Sequence, residues 1–430
     1  MTYPWPSDVG HHRTGVVNPM RSEVLPPHEE DVAARGYDPF DYRIHEDPYP
    51  TYAWMREHAP LYRNEQRDFW ALSRHADVVA ALRNHKLFSN CNGISLESEL
   101  WGPHAVKTSF FLAMDPPEQG AYRSLVAAAF TPRRVVGLEQ RIRELARERL
   151  EPLRDQARFD FAADFAAALP NDVVCEMLGV PAADWDQIRA DTDQLNQRED
   201  GSEDRGSSSV AAALRLANYF VGLVTDLRRH PGEDLTSAMI QAEVNGARHT
   251  DTQIVAFLFL VISAGNESTG KTIGNAWYHG WLHPEVQRAG LNGRAEGWTN
   301  ETLRYDSASQ MTARTVTADT VIHGIDLPAG SRVAILPAAG NRDGRVFPEP
   351  DRYDLDRDTS KLISFGHGPH HCLGAALARL EMRIALEEIG ALVSEYEIDI
   401  ANSRRVHSPH QRGFGSLPCA VTHRPKPLST

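Results

Sequence analysis

A mainly α-helical chain with a small β portion is predicted from three observations. Four long stretches carry apolar residues at helical spacing, strand-like pieces gather in only two places, and no linker divides the chain. The helical stretches are Gln140 to Leu153, Val210 to Leu227, Ile254 to His279 and Ala375 to Leu392. The strand-like pieces are Asp68 to Ser73 and Thr315 to Leu336, where Gly324, Pro328 and Gly330 mark turns.

Residues 1–36 are rich in Pro, His and charge and are expected to form an extended or poorly ordered tail. Residues 37–430 are expected to form a single domain. The tail lacks the apolar core of a signal peptide. Gln140 to Leu153 mixes its apolar residues with Arg and Glu, as a helix with one solvated face does. Arg198 to Val210 (REDGSEDRGSSSV) is polar and Gly/Ser-rich, which predicts a mobile loop, and a lid, between two helices. Ile254 to Ile262 is a nine-residue apolar run, less than half of a membrane span.

Composition narrows the function classes. The 430 residues are 41% hydrophobic and 24% charged, as in an ordinary globular protein. A formal charge of −13 argues against nucleic acid or an anionic membrane as partner. The four Cys residues (Cys91, Cys175, Cys372, Cys419) are scattered and form no CxxC, so no disulfide framework or iron–sulfur cluster is indicated. A cytoplasmic location fits.

Chemistry concentrates in Phe365-Gly366-His367-Gly368-Pro369-His370-His371-Cys372-Leu373-Gly374. Cys372 ends a glycine-rich turn immediately before a helix-forming run. That placement aims the free N–H groups and positive end of the helix at the sulfur and favours a thiolate, a strong ligand for iron. Gly368 permits the tight backbone path, and Gly374 lets a flat partner approach closely. The His and Cys residues could instead bind zinc, although four ligands within six residues make poor tetrahedral geometry.

A second motif points elsewhere. Gly265-Asn266-Glu267-Ser268-Thr269-Gly270-Lys271-Thr272 satisfies the phosphate-loop pattern G-x-x-x-x-G-K-[ST], so a nucleotide-hydrolysing enzyme is the rival reading. The same residues also read as the middle of one helix. Phe257, Leu260, Ala264 and Ser268 then share a face, and Lys271 points outward.

The Cys372 segment resembles the haem-binding signature of the cytochrome P450 family, F-G-x-G-x-H-x-C-x-G, at every fixed position. Ala264-Gly265-Asn266-Glu267-Ser268 resembles the family's A-G-x-[DE]-T, with Ser268 where Thr is usual. Glu301-Thr302-Leu303-Arg304 resembles its E-x-x-R, with Arg352 matched as a third charged member. Asp115 to Arg123 resembles D-P-P-E-H-x-x-x-R, with Gln119 where His is usual.

The resemblance implies the P450 fold, with haem b between a long distal helix and the proximal Cys loop. Cys372 would ligate the iron. Phe365, Gly366, His370, Gly374, Arg123, Arg314, Gln119 and Ala264 would hold the cofactor. Glu267 and Ser268 would relay protons, and Glu301, Arg304 and Arg352 would be structural. A substrate pocket would be lined by Phe110, Phe111, Phe257, Leu260, Val261, Ala264, Gln310 and Phe414. It implies a monooxygenase using O2 on a medium-sized hydrophobic substrate (steroid, terpenoid, fatty acyl or aromatic). Electrons would come from a ferredoxin and its NAD(P)H-dependent reductase. Within the family the alternative is a peroxide-driven or non-oxygenating enzyme.

Overall fold

The computed structural model describes residues 31, 32, 34, 36–195, 206–244 and 247–425. The principal helices, numbered in chain order, are α1 (Tyr49–His58), α2 (His75–Arg83), α3 (Glu118–Ala127), α4 (Glu139–Leu150), α5 (Ala168–Leu178), α6 (Trp185–Leu195) and α7 (Ser207–Arg229). They continue with α8 (Asp251–Leu282), α9 (Pro284–Leu291), α10 (Ala295–Tyr305) and α11 (Ala375–Leu392). The mainly α expectation holds. Of the polar segment Arg198 to Val210, residues 198–205 lie outside the described residues, and Ser207 to Val210 already belong to α7.

The longest helix, α8, is begun by a reciprocal cap. The Thr250 hydroxyl accepts from the Gln253 backbone N–H, and the Gln253 side chain accepts from the Thr250 N–H. Its C-terminal half is buried on nearly every side, with Trp277 stacked between Phe161 and Tyr396. An aromatic stack of that kind fixes the helix against rotation about its axis. Helix α7 is, by length and composition, apolar enough to cross a membrane. Its Leu216, Phe220 and Val224 face the core, whereas Val210, Leu214 and Val221 are exposed.

Strands β1 (Leu61–Asn64), β2 (Phe69–Leu72), β3 (Phe88–Ser89), β4 (Thr312–Val316) and β5 (Arg332–Ile335) form one sheet in the order β1-β2-β5-β4-β3. Both strand-like pieces of the sequence therefore meet, β2 pairing in parallel with β5. In β4, Arg314 pairs with Val333 of β5, which carries its side chain to the edge of the interior cavity.

Gly265 to Thr272 lie wholly inside α8. Their backbone N–H groups are committed to the helix and cannot cradle a phosphate, so the nucleotide reading is overturned. Lys271 does not point outward: it is 6% exposed. A side-chain carbon placed on Gly413 would sit 2.5 Å from the Lys271 Cβ, so the lysine stem is packed against that glycine.

Candidate functional site

The Cys372 segment forms a closed loop ahead of α11. The Cys372 N–H donates to the Phe365 carbonyl (2.8 Å), and the Gly366 N–H to the Ile363 carbonyl (2.9 Å). Gly366 and Gly368 adopt positive φ, 69° and 70°. At Gly368 a side chain is impossible, because its Cβ would meet the Leu82 carbonyl oxygen at 2.7 Å. Around Gly374 there is open space, as expected of a wall for a flat partner. Phe365 is covered on one face by the Arg379 guanidinium, 4.4 Å from the ring centre.

Cys372 opens into an interior cavity of about 350 Å3 that runs between α8 and the Cys loop. Burial raises the thiol above its ordinary range, while the Gly374 N–H and the Arg123 and Arg379 guanidiniums pull it down. The local donors act as foreseen, but desolvation outweighs them, and a bound metal cation is what would complete deprotonation. Among the described residues no group of three His, Cys, Asp or Glu is arranged to hold a metal ion, so the zinc reading finds no support.

Three nitrogen-bearing side chains line the cavity beside the loop: the guanidiniums of Arg123 and Arg314 and the imidazole of His370. The Arg123 guanidinium donates to the His371 carbonyl (2.5 Å), and Arg314 donates to Thr312 Oγ1 (2.8 Å) and to its neighbour's carbonyl. Burial lowers Arg314 to about 10, with Asp115 opposing the shift, and lowers His370 to about 4, with Arg314 adding to the effect. Both His370 ring nitrogens are buried without a well-formed hydrogen bond. Among the described residues neither guanidinium has a carboxylate within ion-pair distance, and burial leaves His370 a neutral imidazole that can donate one hydrogen bond. Positive groups gathered on an acidic protein without acids of their own fit an anionic guest, and the two propionates of haem match that requirement.

Gln119 is a correction. It is 2% exposed and does not line the cavity; its amide donates to the Pro369 carbonyl (3.0 Å) and braces the Cys loop from α3. A neutral amide is better satisfied by a backbone carbonyl than by projecting among cations.

Across the cavity, α8 presents Phe257, Leu260, Val261, Ala264 and Ser268 along one face, as the helical spacing requires. The Ser268 hydroxyl donates to the Ala264 carbonyl (3.1 Å), so it bonds back to its own helix while facing the cavity. Glu267 points to the other side of α8, into a small pocket shared with Arg189, Asp193 and Lys271. The acid and the alcohol therefore stand on different surfaces of one helix.

Of the remaining pocket residues, Phe111 lines the cavity and three others do not. Phe110 turns into the core against Tyr122, their ring centres 5.0 Å apart. Gln310 is buried behind the wall, donating to Ser307 O (2.6 Å) and accepting from Tyr52 (3.1 Å). Phe414 packs under Arg405 and on Tyr278. In each case a close neighbour in the chain takes the lining position: Phe111, Ser309 and Gln411. In short turns and loops tertiary contacts decide residue by residue which side chain faces the cavity, so a segment-level assignment misplaces individual members.

Arg352 is also corrected. It is 62% exposed and reaches only Glu349 and Asp354. Arg357 takes the inward place, 3.2 Å from Glu301, which Arg304 grips through two further bonds of 2.9 and 2.7 Å. Arg304 and Glu301 are 0% and 1% exposed. The spare Arg304 donors reach the carbonyls of Asn341, Pro350 and Arg352, which secures the strand-poor segment leading to the Cys loop.

Known proteins resemble this chain in sequence and in fold. The family model described as "Cytochrome P450" matches residues 296–422. "Putative cytochrome P450 123" of Mycobacterium tuberculosis is 45% identical over 390 residues, covering 90% of this chain and 97% of that protein. "Vitamin D(3) 25-hydroxylase" of Pseudonocardia autotrophica is 33% identical over 397 residues, covering 90% and 97%. Among solved structures, cytochrome P450 CYP109Q5 from Chondromyces apiculatus superposes with a TM-score of 0.81 at 31% identity, covering 90% of this chain and 99% of that one.

Proposed function

The chain belongs to the cytochrome P450 family, and from that premise we propose that Cys372, Arg123, Arg314 and His370 hold its haem b and that a neutral hydrophobic substrate lies against α8. As a member it is a haem-dependent monooxygenase. Haem, when bound, supplies the activation of O2 that places one oxygen atom in the substrate.

Each residue has a distinct task. Cys372 would bind the iron, and Gly374 and Ala264, both on the cavity wall, would leave room for a flat ring. Arg123, Arg314 and His370 would take the propionates. Ser268 Oγ, already oriented by the Ala264 carbonyl, would hold a water on its free lone pairs at the reacting side. Glu267 would bring protons from the solvent side of α8 toward that water. The observation that carries the reading is that Cys372, the acid-free guanidiniums of Arg123 and Arg314, His370 and the apolar face of α8 all line one cavity.

The cavity is also lined by Ile94, Phe111, Phe257, Leu260 and Val261, with Ser309 and Gln411 as uncharged polar groups. Lys107, a basic residue in the segment just before Phe110, is exposed and does not line the cavity. A steroid, terpenoid, fatty acyl ester or aromatic of medium size suits such a wall, and a relative named as a vitamin D(3) hydroxylase acts on a molecule of that kind. Electrons would come from a separate ferredoxin and its NAD(P)H-dependent reductase in the cytoplasm. The test is direct. Purified protein should be red, and its ferrous carbon monoxide complex should show the thiolate-type Soret band, lost in Cys372→Ser. Retention of that band in the variant would remove Cys372 from the iron. Titration with a library of neutral and carboxylate-bearing hydrophobes should shift the ferric spectrum with the neutral members only.

A further inference from the structure

Segments remote from one another in the chain meet along one stretch of the cavity wall. Ile94 lies in the loop that follows β3, Ser309 between α10 and β4, and Gln411 in the turn that precedes Phe414, and all of them line the cavity. Main-chain bonds tie both outer segments to the middle one. The Ala313 N–H donates to the Ile94 carbonyl (2.7 Å), the Gln310 N–H to the His410 carbonyl (2.9 Å) and the Arg412 N–H to the Ala308 carbonyl (2.8 Å).

Side chains from the positions next door join the Ile94 loop to the Gln411 turn. Ser95 Oγ donates to Glu97 Oε2 (2.9 Å) and meets His410 Nε2 at 2.8 Å, and that nitrogen is 3.6 Å from the same carboxylate oxygen. A hydroxyl has one proton to give, and here it goes to Glu97. Toward His410 Ser95 therefore accepts, and Nε2 carries the hydrogen. The Ser95 oxygen also accepts from the Glu97 N–H (3.0 Å), which folds the loop back on its own carboxylate. Ser95 and Glu97 are 3% and 0% exposed, and neither they nor His410 lines the cavity itself. Apolar groups would serve packing as well, because a buried carboxylate gives up hydration that its partners barely return. Directional, charge-assisted bonds add one fixed spacing between the two loops. Ile94 and Gln411, each adjacent in the chain to a member of this clasp, inherit that spacing.

We propose that Glu97 is a specificity-determining positioning residue. Acting through Ser95 and His410, it holds the Ile94 loop at a set distance from the Gln411 turn and so sets the size of neutral hydrophobe that the cavity accepts. Without the clasp the loops sample other spacings, and a site competent for only a fraction of the time binds more weakly by that fraction. The proposal rests on the haem and substrate reading of the cavity, which the Soret band and the ligand-induced spectral shift of wild type check on their own.

The test compares full-length, haem-loaded wild type with Glu97→Gln, Ser95→Ala and the double variant. Each is titrated with neutral steroids, terpenoids and fatty acyl methyl esters graded by size. In each single variant the dissociation constant of the best wild-type ligand should rise on the order of tenfold. Its preference over larger homologues should fall by a similar factor, while kcat stays within about twofold, because only formation of the fitted site is impaired. The double variant should lose no more than either single one, since all three break one relay. Unchanged affinities overturn the assignment. So do losses equal for ligands of every size, which assign the clasp to stability, and a fall in kcat with KM unmoved, which assigns it to the chemistry. Additive losses mean that Ser95 and Glu97 act separately and overturn it as well. If Glu97→Gln fails to load haem, Ser95→Ala, one oxygen smaller than wild type, decides by the same affinity and kcat criteria. Absence of the thiolate-type Soret band from every sample, or of any spectral shift in wild type, instead overturns the reading of the cavity, and the clasp's role with it.

Discussion

Ser268 keeps a hydroxyl but lacks the β-branch that would stiffen χ1, and that hydroxyl is drawn back to the Ala264 carbonyl. If it also orders water at the reacting side, Ser268→Ala should leave oxygen consumption intact, lower product per NADH and raise hydrogen peroxide. Ser268→Thr should keep or improve coupling. Equal coupling in wild type and Ser268→Ala would confine the hydroxyl to its own helix. Glu267→Gln should instead slow turnover, by roughly a hundredfold if Glu267 is the principal general acid. Lys271 needs a different expectation from the one its sequence suggests. Because its stem is buried against Gly413, Lys271→Ala should cost about 1–3 kcal/mol by loss of buried methylenes, read as a lower urea midpoint. Neither protein should bind ATP. The Cys372 loop was legible in the sequence because its parts are contiguous and two of its glycines have single structural reasons. Lys271 was not, since burial of a long side chain is decided by what the distant Gly413 loop lays over it.

Helices were the legible elements. Apolar residues at 3.6-residue spacing marked α8 and α11, and the structure mainly extends α8 at both ends, to the Thr250 cap and to Leu282. The phosphate-loop match failed at this scale, because a pattern of residue types does not specify backbone, and a helix uses the N–H groups that a phosphate would need. Irregular segments were the illegible ones. Arg352 and Arg357 stand five residues apart in a run without period, and only tertiary contacts decide which turns inward. Their difference is measurable. Arg357→Ala leaves part of the Glu301 carboxylate uncompensated in a site 1% exposed, so it should cost about 3–5 kcal/mol and lower haem retention. Arg352→Ala removes exposed pairs only and should stay within about 0.5 kcal/mol. Urea unfolding of the two variants side by side decides the assignment, and a reversed order would restore Arg352.

At the scale of the whole molecule, one buried polar junction ties the chain's distant parts together. Asp306, at the end of α10, accepts from His279 of α8 (2.9 Å), from Tyr49 of α1 (2.7 Å) and from Arg412 of the C-terminal segment (2.8 Å). Burial opposes the Asp306 charge, yet Arg412 and His279 outweigh it and hold the carboxyl far below its ordinary range. For His279 burial dominates and lowers it to about 4, Asp306 pulling partly back. His45, whose Nε2 meets the Pro39 carbonyl (2.7 Å), is likewise lowered to about 4 by burial. Both histidines are therefore neutral in the folded protein at pH values where the unfolded chain, near pKa 6.5, is protonated. Between those limits the unfolded state binds more protons, so stability rises with pH there. It is fully present above about pH 6.5 and is lost as pH falls toward 4, by on the order of 3 kcal/mol for each histidine. Asp306 adds little in that window, because its carboxyl is ionised in both states until the pH drops further. The urea midpoint should accordingly fall steadily from pH 6.5 to 4 and be nearly flat from 6.5 to 8. His279→Gln, which keeps a donor toward Asp306 but cannot titrate, should make the acid slope shallower while the shares of His45 and His370 remain. An acid slope identical to wild type would mean that His279 is already charged in the fold, and that Asp306 holds two cations rather than one.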